Sequence, residues 1–303
     1  MAERPRIATE SLEGRRPYQE DSVLDMTLSD GRLLVAVADG MGGHAAGEVA
    51  SALAIESLVD ALEGGHDLAE AFRLANERVH DKAAEPEKRG MGTTLVAMLL
   101  EGDTFRIANV GDSRGYLLTS EGIRQVTEDH SFVAEAIRRG QSEEEARASE
   151  WRDALTQAIG LDDHVEVDVF GPFPVEPDSA VLLCSDGLYK TLDADDIRAI
   201  FVRSGGPRGA SQALAAAAFE RGSDDNITVA VAEFGEVPRE RARGTMEIEF
   251  EPPPPPREEE AAAVSGQRPR VSDVPDRSGP PIGIVLAVVG VLIVVAVLVV
   301  ALR

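Results

Sequence analysis

The chain has 303 residues, with 30 Lys and Arg against 54 Asp and Glu, and all but −1 of its net charge of −24 lies before residue 237. So acidic a surface repels phosphate backbones and argues against a nucleic-acid partner. Hydrophobic residues make up 43% and aromatic ones only 4%, enough for a core of Val, Leu, Ile and Ala, while the single cysteine, Cys184, excludes an intramolecular disulfide and a Cys-rich zinc site.

From the N-terminus, no apolar stretch follows the first charges, which predicts no signal peptide. Strands are expected over 22–28 and 32–38, the second a nearly continuous apolar run of the kind buried on both faces. Ile55, Leu58, Val59 and Leu62 recur at helical spacing before Gly64-Gly65, and Leu68, Phe72, Ala75 and Val79 make a second stripe. Further strands are expected over 92–100, 105–110, 114–118, 165–170, 180–184 and 226–233, with helices over 194–202 and 208–219. Residues 131–155 are polar, helical in propensity and poorly periodic, an excursion from the core. Strands in hairpin-like succession with paired helices predict an α+β fold: two packed antiparallel sheets covered by helices.

Beyond residue 236 the pattern changes. Residues 237–281 contain the run Pro252–Pro256, the triplet Glu258-Glu259-Glu260 and Ser278-Gly279-Pro280-Pro281, a composition that cannot bury enough apolar surface to fold. Residues 282–302 carry no charge, and at 1.5 Å per residue they reach about 31 Å, the thickness of a bilayer core. The organisation expected is a folded domain over 1–236, a linker over 237–281 and one C-terminal transmembrane helix over 282–302. Arg257, Arg268, Arg270 and Arg277 precede the span and only Arg303 follows it, which predicts a single-pass protein of the cell membrane with its folded domain in the cytoplasm.

Acidic residues stand where the apolar runs end. Glu20-Asp21 precedes the strand at 22, Asp39-Gly40 follows the strand ending at 38, Asp186-Gly187 follows Ser185, and Asp225 precedes the strand that begins at Asn226. Each alone reads as a turn. Together they would gather carboxylates at one sheet edge, where mutual repulsion calls for a cation. No cysteine or histidine pair joins them, so the donors are hard oxygens, suited to Mg²⁺ or Mn²⁺ rather than Zn²⁺. Paired cations of this kind serve phosphate hydrolysis.

Seven segments then occur in order: Arg16-Pro17-Tyr18-Gln19-Glu20-Asp21, Val37-Ala38-Asp39-Gly40-Met41-Gly42-Gly43-His44, Met91-Gly92-Thr93-Thr94, Ala108-Asn109-Val110-Gly111-Asp112-Ser113-Arg114, Thr127-Glu128-Asp129-His130-Ser131, Cys184-Ser185-Asp186-Gly187-Leu188 and Ser223-Asp224-Asp225-Asn226-Ile227-Thr228. Across about residues 5–235 this series resembles the metal-dependent, 2C-type serine/threonine protein phosphatases in their bacterial form. The resemblance implies a helix-flanked β-sandwich with a metal centre at one end. It implies that Asp39 bridges two metals with the Gly40 carbonyl as a further ligand, that Asp186 and Asp225 complete the first metal, and that Glu20 and Asp21 bind or orient water on the second. Asp112 resembles the ligand of a third, weaker ion that shares Asp186, and Arg16 the arginine that grips the substrate phosphate. The chemistry implied is in-line attack on phosphoserine or phosphothreonine by a metal-bridging hydroxide, with Mn²⁺ or Mg²⁺ as cofactor.

Two departures matter. Gln19 stands where bacterial members usually have asparagine, and Met41 where many eukaryotic members carry a histidine that protonates the leaving oxygen. His44 is the nearest substitute, although a histidine beside a glycine-rich turn more often serves structure. His130 reads as structural, Asp129 stays unassigned, and residues 131–155 correspond to the variable flap beside the site. The partners implied are phosphorylated proteins and, from the family's role, a membrane-bound Ser/Thr kinase, met by a monomeric catalytic domain anchored in the bilayer. A non-catalytic phosphoprotein-binding member of the same fold is the alternative, and the presence of Asp39, Asp186, Asp225 and Arg16 argues against it.

Overall fold

Two antiparallel sheets lie face to face in the computed structural model, which describes residues 4–43, 45–235 and 237. The strands are β1 (Arg6–Leu12), β2 (Asp21–Thr27), β3 (Leu33–Met41), β4 (Gly92–Thr93), β5 (Leu95–Glu101), β6 (Thr104–Val110), β7 (Arg114–Thr119), β8 (Gly122–Gln125), β9 (Asp168–Pro174), β10 (Ser179–Cys184) and β11 (Ile227–Phe234). The helices are α1 (Ala45–Glu63), α2 (Leu68–Ala83), α3 (Phe132–Arg138), α4 (Glu143–Arg147), α5 (Asp186–Tyr189), α6 (Ala194–Arg203) and α7 (Pro207–Glu220). One sheet runs β1-β11-β10-β7-β8, and the other β2-β3-β5-β6-β9 with β4 paired to the end of β3. All of this lies in a compact unit spanning Met1–Gly244.

The sequence explains the layering. Along β3, Leu34, Ala36 and Ala38 pack with Ala54, Leu58 and Phe72 of α1 and α2, while Val35 and Val37 face the opposite sheet. Strand β10 does the same: Leu182 and Cys184 meet Ile197, Phe201 and Leu214 of α6 and α7, while Val181 and Leu183 point between the sheets. A strand covered on both faces has no polar side, which is why these runs are continuously apolar. Truncating a side chain such as Leu34, fully buried here, costs about 2–5 kcal/mol.

The structure corrects the expected elements in several places. Strand β3 does not stop at Ala38. It runs through Asp39 and Gly40 to Met41, because Gly40 and Met41 pair with Thr93 and Gly92 of β4. The run expected over 92–100 breaks at Thr94, whose backbone N–H donates to the Asp39 carbonyl and whose hydroxyl accepts from the Asp39 N–H. Strand β1 was not foreseen. It pairs along its length with β11, from Arg6 opposite Glu233 to Leu12 opposite Ile227. The excursion at 131–155 holds α3 and α4 and closes where Ser131 bridges Leu155. The expected membrane span over 282–302 lies outside the described residues. Among those described, no helix is long and apolar enough to cross a membrane.

Candidate metal centre and active site

Register places the first two carboxylates. Asp21 at the start of β2 sits opposite Asp39 near the end of β3. On the other sheet, β10 ends at Cys184 and runs through Ser185 into Asp186 at the head of α5, beside β11, whose first residue follows Asp225-Asn226. The chain thus delivers carboxylates from both sheets to one end of the sandwich. There, Arg16, Glu20, Asp39, Gly40, Asp112, Asp186 and Asp225 line a single cavity of about 730 Å³. Asp21 does not line it. Its Oδ2 accepts a 2.7 Å hydrogen bond from the Ser185 hydroxyl, behind the cavity wall.

Close backbone packing makes the cavity possible. A Cβ on Gly40 would fall 2.2 Å from the Gly47 carbonyl oxygen, and one on Gly47 would fall 2.5 Å from Glu20 Oε1. Only glycine lets α1, the end of β3 and the Glu20 carboxylate meet. The Glu20 carbonyl accepts from the Gly40 N–H at 3.1 Å and from the Ser51 hydroxyl of α1 at 2.6 Å. Gly14 has φ of 65° and lies where a Cβ would be 2.1 Å from the Asp225 carbonyl oxygen, so the loop bearing Arg16 presses onto the base of β11. Asn226 ties that loop down: its side chain accepts from the Glu20 N–H and donates to the carbonyls of Glu13 and Tyr18, at 2.8, 2.8 and 2.9 Å.

The electrostatics follow from the crowding. Burial first, then Asp21, Asp186, Asp112 and Asp225, push the Asp39 carboxyl well above the usual range. Burial raises Asp21 to about 7, although hydrogen bonds from Thr228 and Ser185 offset part of the rise. Asp112 is raised to about 6 by burial and by Asp186, and its Oδ2 accepts from the Tyr189 hydroxyl at 3.0 Å. Asp225 is raised by burial and Asp186, with Arg16 working against them. Two cations enter the cluster. Arg16 donates to Asp225 Oδ2 at 2.7 Å and to the Asp224 carbonyl at 3.2 Å, and Lys190 Nζ lies 2.5 Å from Asp186 Oδ2.

These residues suit a divalent cation. Among the described residues, no three carboxylate, histidine or cysteine groups converge closely enough to enclose an ion as they stand. The Asp21 Oδ1 and Asp186 Oδ1 atoms are nevertheless buried with no hydrogen-bond partner, an arrangement that costs free energy unless a positive charge is supplied. Every donor is a hard oxygen, matching Mg²⁺ or Mn²⁺.

Several residues of the site escaped sequence reasoning. Gly47 acts through packing, and Asn226 and Ser185 through hydrogen bonds to distant parts of the chain, roles that their spacing alone does not reveal. Lys190 could have been found, since it follows Asp186 by four residues, the spacing that sets side chains side by side on a helix. His44 lies outside the described residues. His130 is buried. Its Nδ1 accepts from the Gly111 N–H at 3.3 Å and its Nε2 meets Asp168 Oδ2 at 3.0 Å, which holds the loop that carries Asp112. Asp129 takes the Arg114 guanidinium, whose Nη2 lies 2.7 Å from Asp129 Oδ2, and that guanidinium stacks on Tyr189 at 3.5 Å.

Comparison with known proteins adds three findings. A family model described as protein phosphatase 2C matches residues 14–217. The serine/threonine phosphatase stp of Listeria monocytogenes is 37% identical over 230 residues, covering 72% of this chain and 91% of that protein. The crystal structure of the Mycobacterium tuberculosis serine/threonine phosphatase PstP/Ppp superposes with a TM-score of 0.69 at 34% identity, covering 77% of this chain and all of that one.

Proposed function

Because the chain belongs to the protein phosphatase 2C family, whose members depend on metal ions, and is a protein serine/threonine phosphatase, we propose that the cavity at the end of the sandwich is its catalytic centre, with Arg16, Asp39 and Asp186 at its heart. One observation carries this reading. Carboxylates from five separated segments converge there at an electrostatic cost, with a guanidinium fork at their rim.

Asp39 sits within electrostatic reach of Asp21, Asp186, Asp112 and Asp225, which suits it to bridge two cations, with the Gly40 carbonyl as a further donor. Asp186 and Asp225 would complete the first, Glu20 and Asp21 would serve the second, Asp21 from behind the wall, and Asp112 with Asp186 would hold a third, weaker one. The cations are Mn²⁺ or Mg²⁺. Bound there, they would acidify water toward neutral pH and neutralise charge on the transferred phosphoryl group. Arg16 grips the phosphoryl oxygens with its planar fork, released from an exposed pair with Asp225 that is cheap to exchange. Arg152, Asp153 and Leu155 of the 131–155 flap also line the cavity, so this segment forms part of the surface that meets the phosphoprotein.

The same proposal extends to the whole chain. Residues 1–236 form the catalytic domain, into whose core Val237 also packs; a linker then runs to 281 and 282–302 are a membrane anchor, with the domain on the cytoplasmic side. The 21 uncharged residues and the arginines that precede them support the anchor and its orientation. Membrane-bound phosphoproteins, including a Ser/Thr kinase and its targets, are the partners such a placement favours. The test is turnover of matched phosphothreonine and phosphotyrosine peptides by the full chain, with and without Mn²⁺. Hydrolysis of the phosphothreonine peptide only, and only with the cation, is expected. Turnover without any divalent cation, or preference for phosphotyrosine, would contradict the reading.

A further inference from the structure

Lys190 is a charged group lining the cavity to which the phosphatase reading gives no role. It follows the single turn of α5, its N–H donating to the Asp186 carbonyl at 3.0 Å, so its position along the chain is fixed by Asp186 itself. Its ammonium lies 2.5 Å from Asp186 Oδ2 and 3.9 Å from Asp153 Oδ1, the latter on the flap. The Lys190 side chain is 44% exposed and Asp186's 12%, so the ammonium stands at the mouth of the cavity and caps a carboxylate that points inward. Tyr189, clamped between the Arg114 guanidinium and the Asp112 carboxylate, prevents α5 from rotating this lysine away.

A fixed ammonium and a divalent cation cannot both take Asp186 without repelling each other. We propose that Lys190 is a tethered counter-ion of the metal centre: it competes with divalent cations for Asp186 and, when displaced, passes to Asp153, so that cation binding is coupled to the flap. The inference rests on the reading of Asp186 as a cation ligand. It makes Lys190 a positioning residue. In the empty centre it neutralises Asp186 and holds the flap toward the carboxylates. In the loaded centre it pairs with Asp153 at the edge where a phosphoprotein enters.

The test is Mn²⁺ binding to the full chain measured by calorimetry, for Lys190→Met, Lys190→Arg, Asp153→Asn and the double variant Lys190→Met/Asp153→Asn, each with circular dichroism as a check on folding. Repulsion between a single and a double charge a few Å apart in a wet cleft corresponds to roughly tenfold in affinity. Lys190→Met is therefore expected to bind Mn²⁺ about tenfold more tightly, and Lys190→Arg within a factor of about two of the unaltered chain. Asp153→Asn removes the alternative seat of the ammonium and is expected to weaken binding several-fold, an effect that disappears in the Lys190→Met background. Lys190→Met binding no tighter than the unaltered chain would overturn the competition. An Asp153→Asn effect of equal size in both backgrounds would overturn the coupling to the flap. Failure of the unaltered chain to bind Mn²⁺ at all would bring down the metal-centre reading, and this inference with it.

Discussion

Arg16 donates to both Asp225 and the Asp224 carbonyl, while its side chain remains about half exposed. An exposed pair of this kind contributes about 0–1 kcal/mol, so its value lies in what the guanidinium can turn to grip. Arg16→Ala is expected to lower kcat/KM for a phosphothreonine peptide by about 10²-fold while leaving Mn²⁺ affinity within about twofold, read by steady-state kinetics beside calorimetry. A collapse of Mn²⁺ binding would make Arg16 a strut instead. Asn226 shows the opposite balance. It touches no substrate, yet its three hydrogen bonds hold Glu20 and the Arg16 loop to the base of β11. Asn226→Ala should destabilise the domain by about 2–4 kcal/mol in urea unfolding and reduce activity along with stability.

At the level of elements, the site exists because α1 can approach the end of β3 without a side chain between them. Gly47→Ala would bring a Cβ to 2.5 Å from Glu20 Oε1, forcing the carboxylate or the helix to move. Activity should fall more steeply than thermal stability, and Ser51→Ala, which removes hydroxyl bonds to the Glu20 and Glu48 carbonyls and to Ser22 but adds no clash, should be milder. The same elements show what the sequence could convey. Strands β3 and β10 and the stripes of α1 and α2 were legible because burial on both faces, or on one helical face, writes itself into residue type. Strand β1 was not, because its Glu10 and Ser11 side chains are not in the core and its identity comes from pairing with β11 across more than two hundred residues. Asp39-Gly40 resembled a turn and proved to be strand, because the partner that extends it, β4, lies more than fifty residues away. The carboxylates at strand ends could be read as a group. Their gathering at one edge was expected too, but not that they would come from both sheets, nor the place of Asp21 behind the wall, since both depend on register.

Across the whole molecule, the surplus of acid residues is partly spent on this one cluster. The sign of its pH dependence follows from the raised carboxyls: Asp21 at about 7 and Asp112 at about 6 resist ionisation in the folded state. Without metal, each therefore costs stability as pH climbs from the ordinary carboxylate range through those values. Bound Mn²⁺ should reverse that cost, so its effect on Tm should be small at pH 5, where protons occupy the site, and larger at pH 8. At a hundredfold excess over Kd the gain is about 2.7 kcal/mol, or roughly 5–10 °C for a domain of this size. A larger gain at pH 5 than at pH 8 would contradict the assignment. Removal of 245–303, which spares the buried Val237, should leave turnover of a soluble phosphopeptide unchanged and slow only the reaction with membrane-bound phosphoproteins.

The most direct test of the centre itself is Asp39→Asn, followed in one preparation by Mn²⁺ calorimetry and phosphothreonine-peptide turnover. An amide at this position cannot balance two dications, so the account requires the loss of at least one Mn²⁺ from the binding stoichiometry. It also requires a fall in turnover of about 10³-fold or more, with circular dichroism unchanged. Full Mn²⁺ stoichiometry together with near-normal turnover would contradict it.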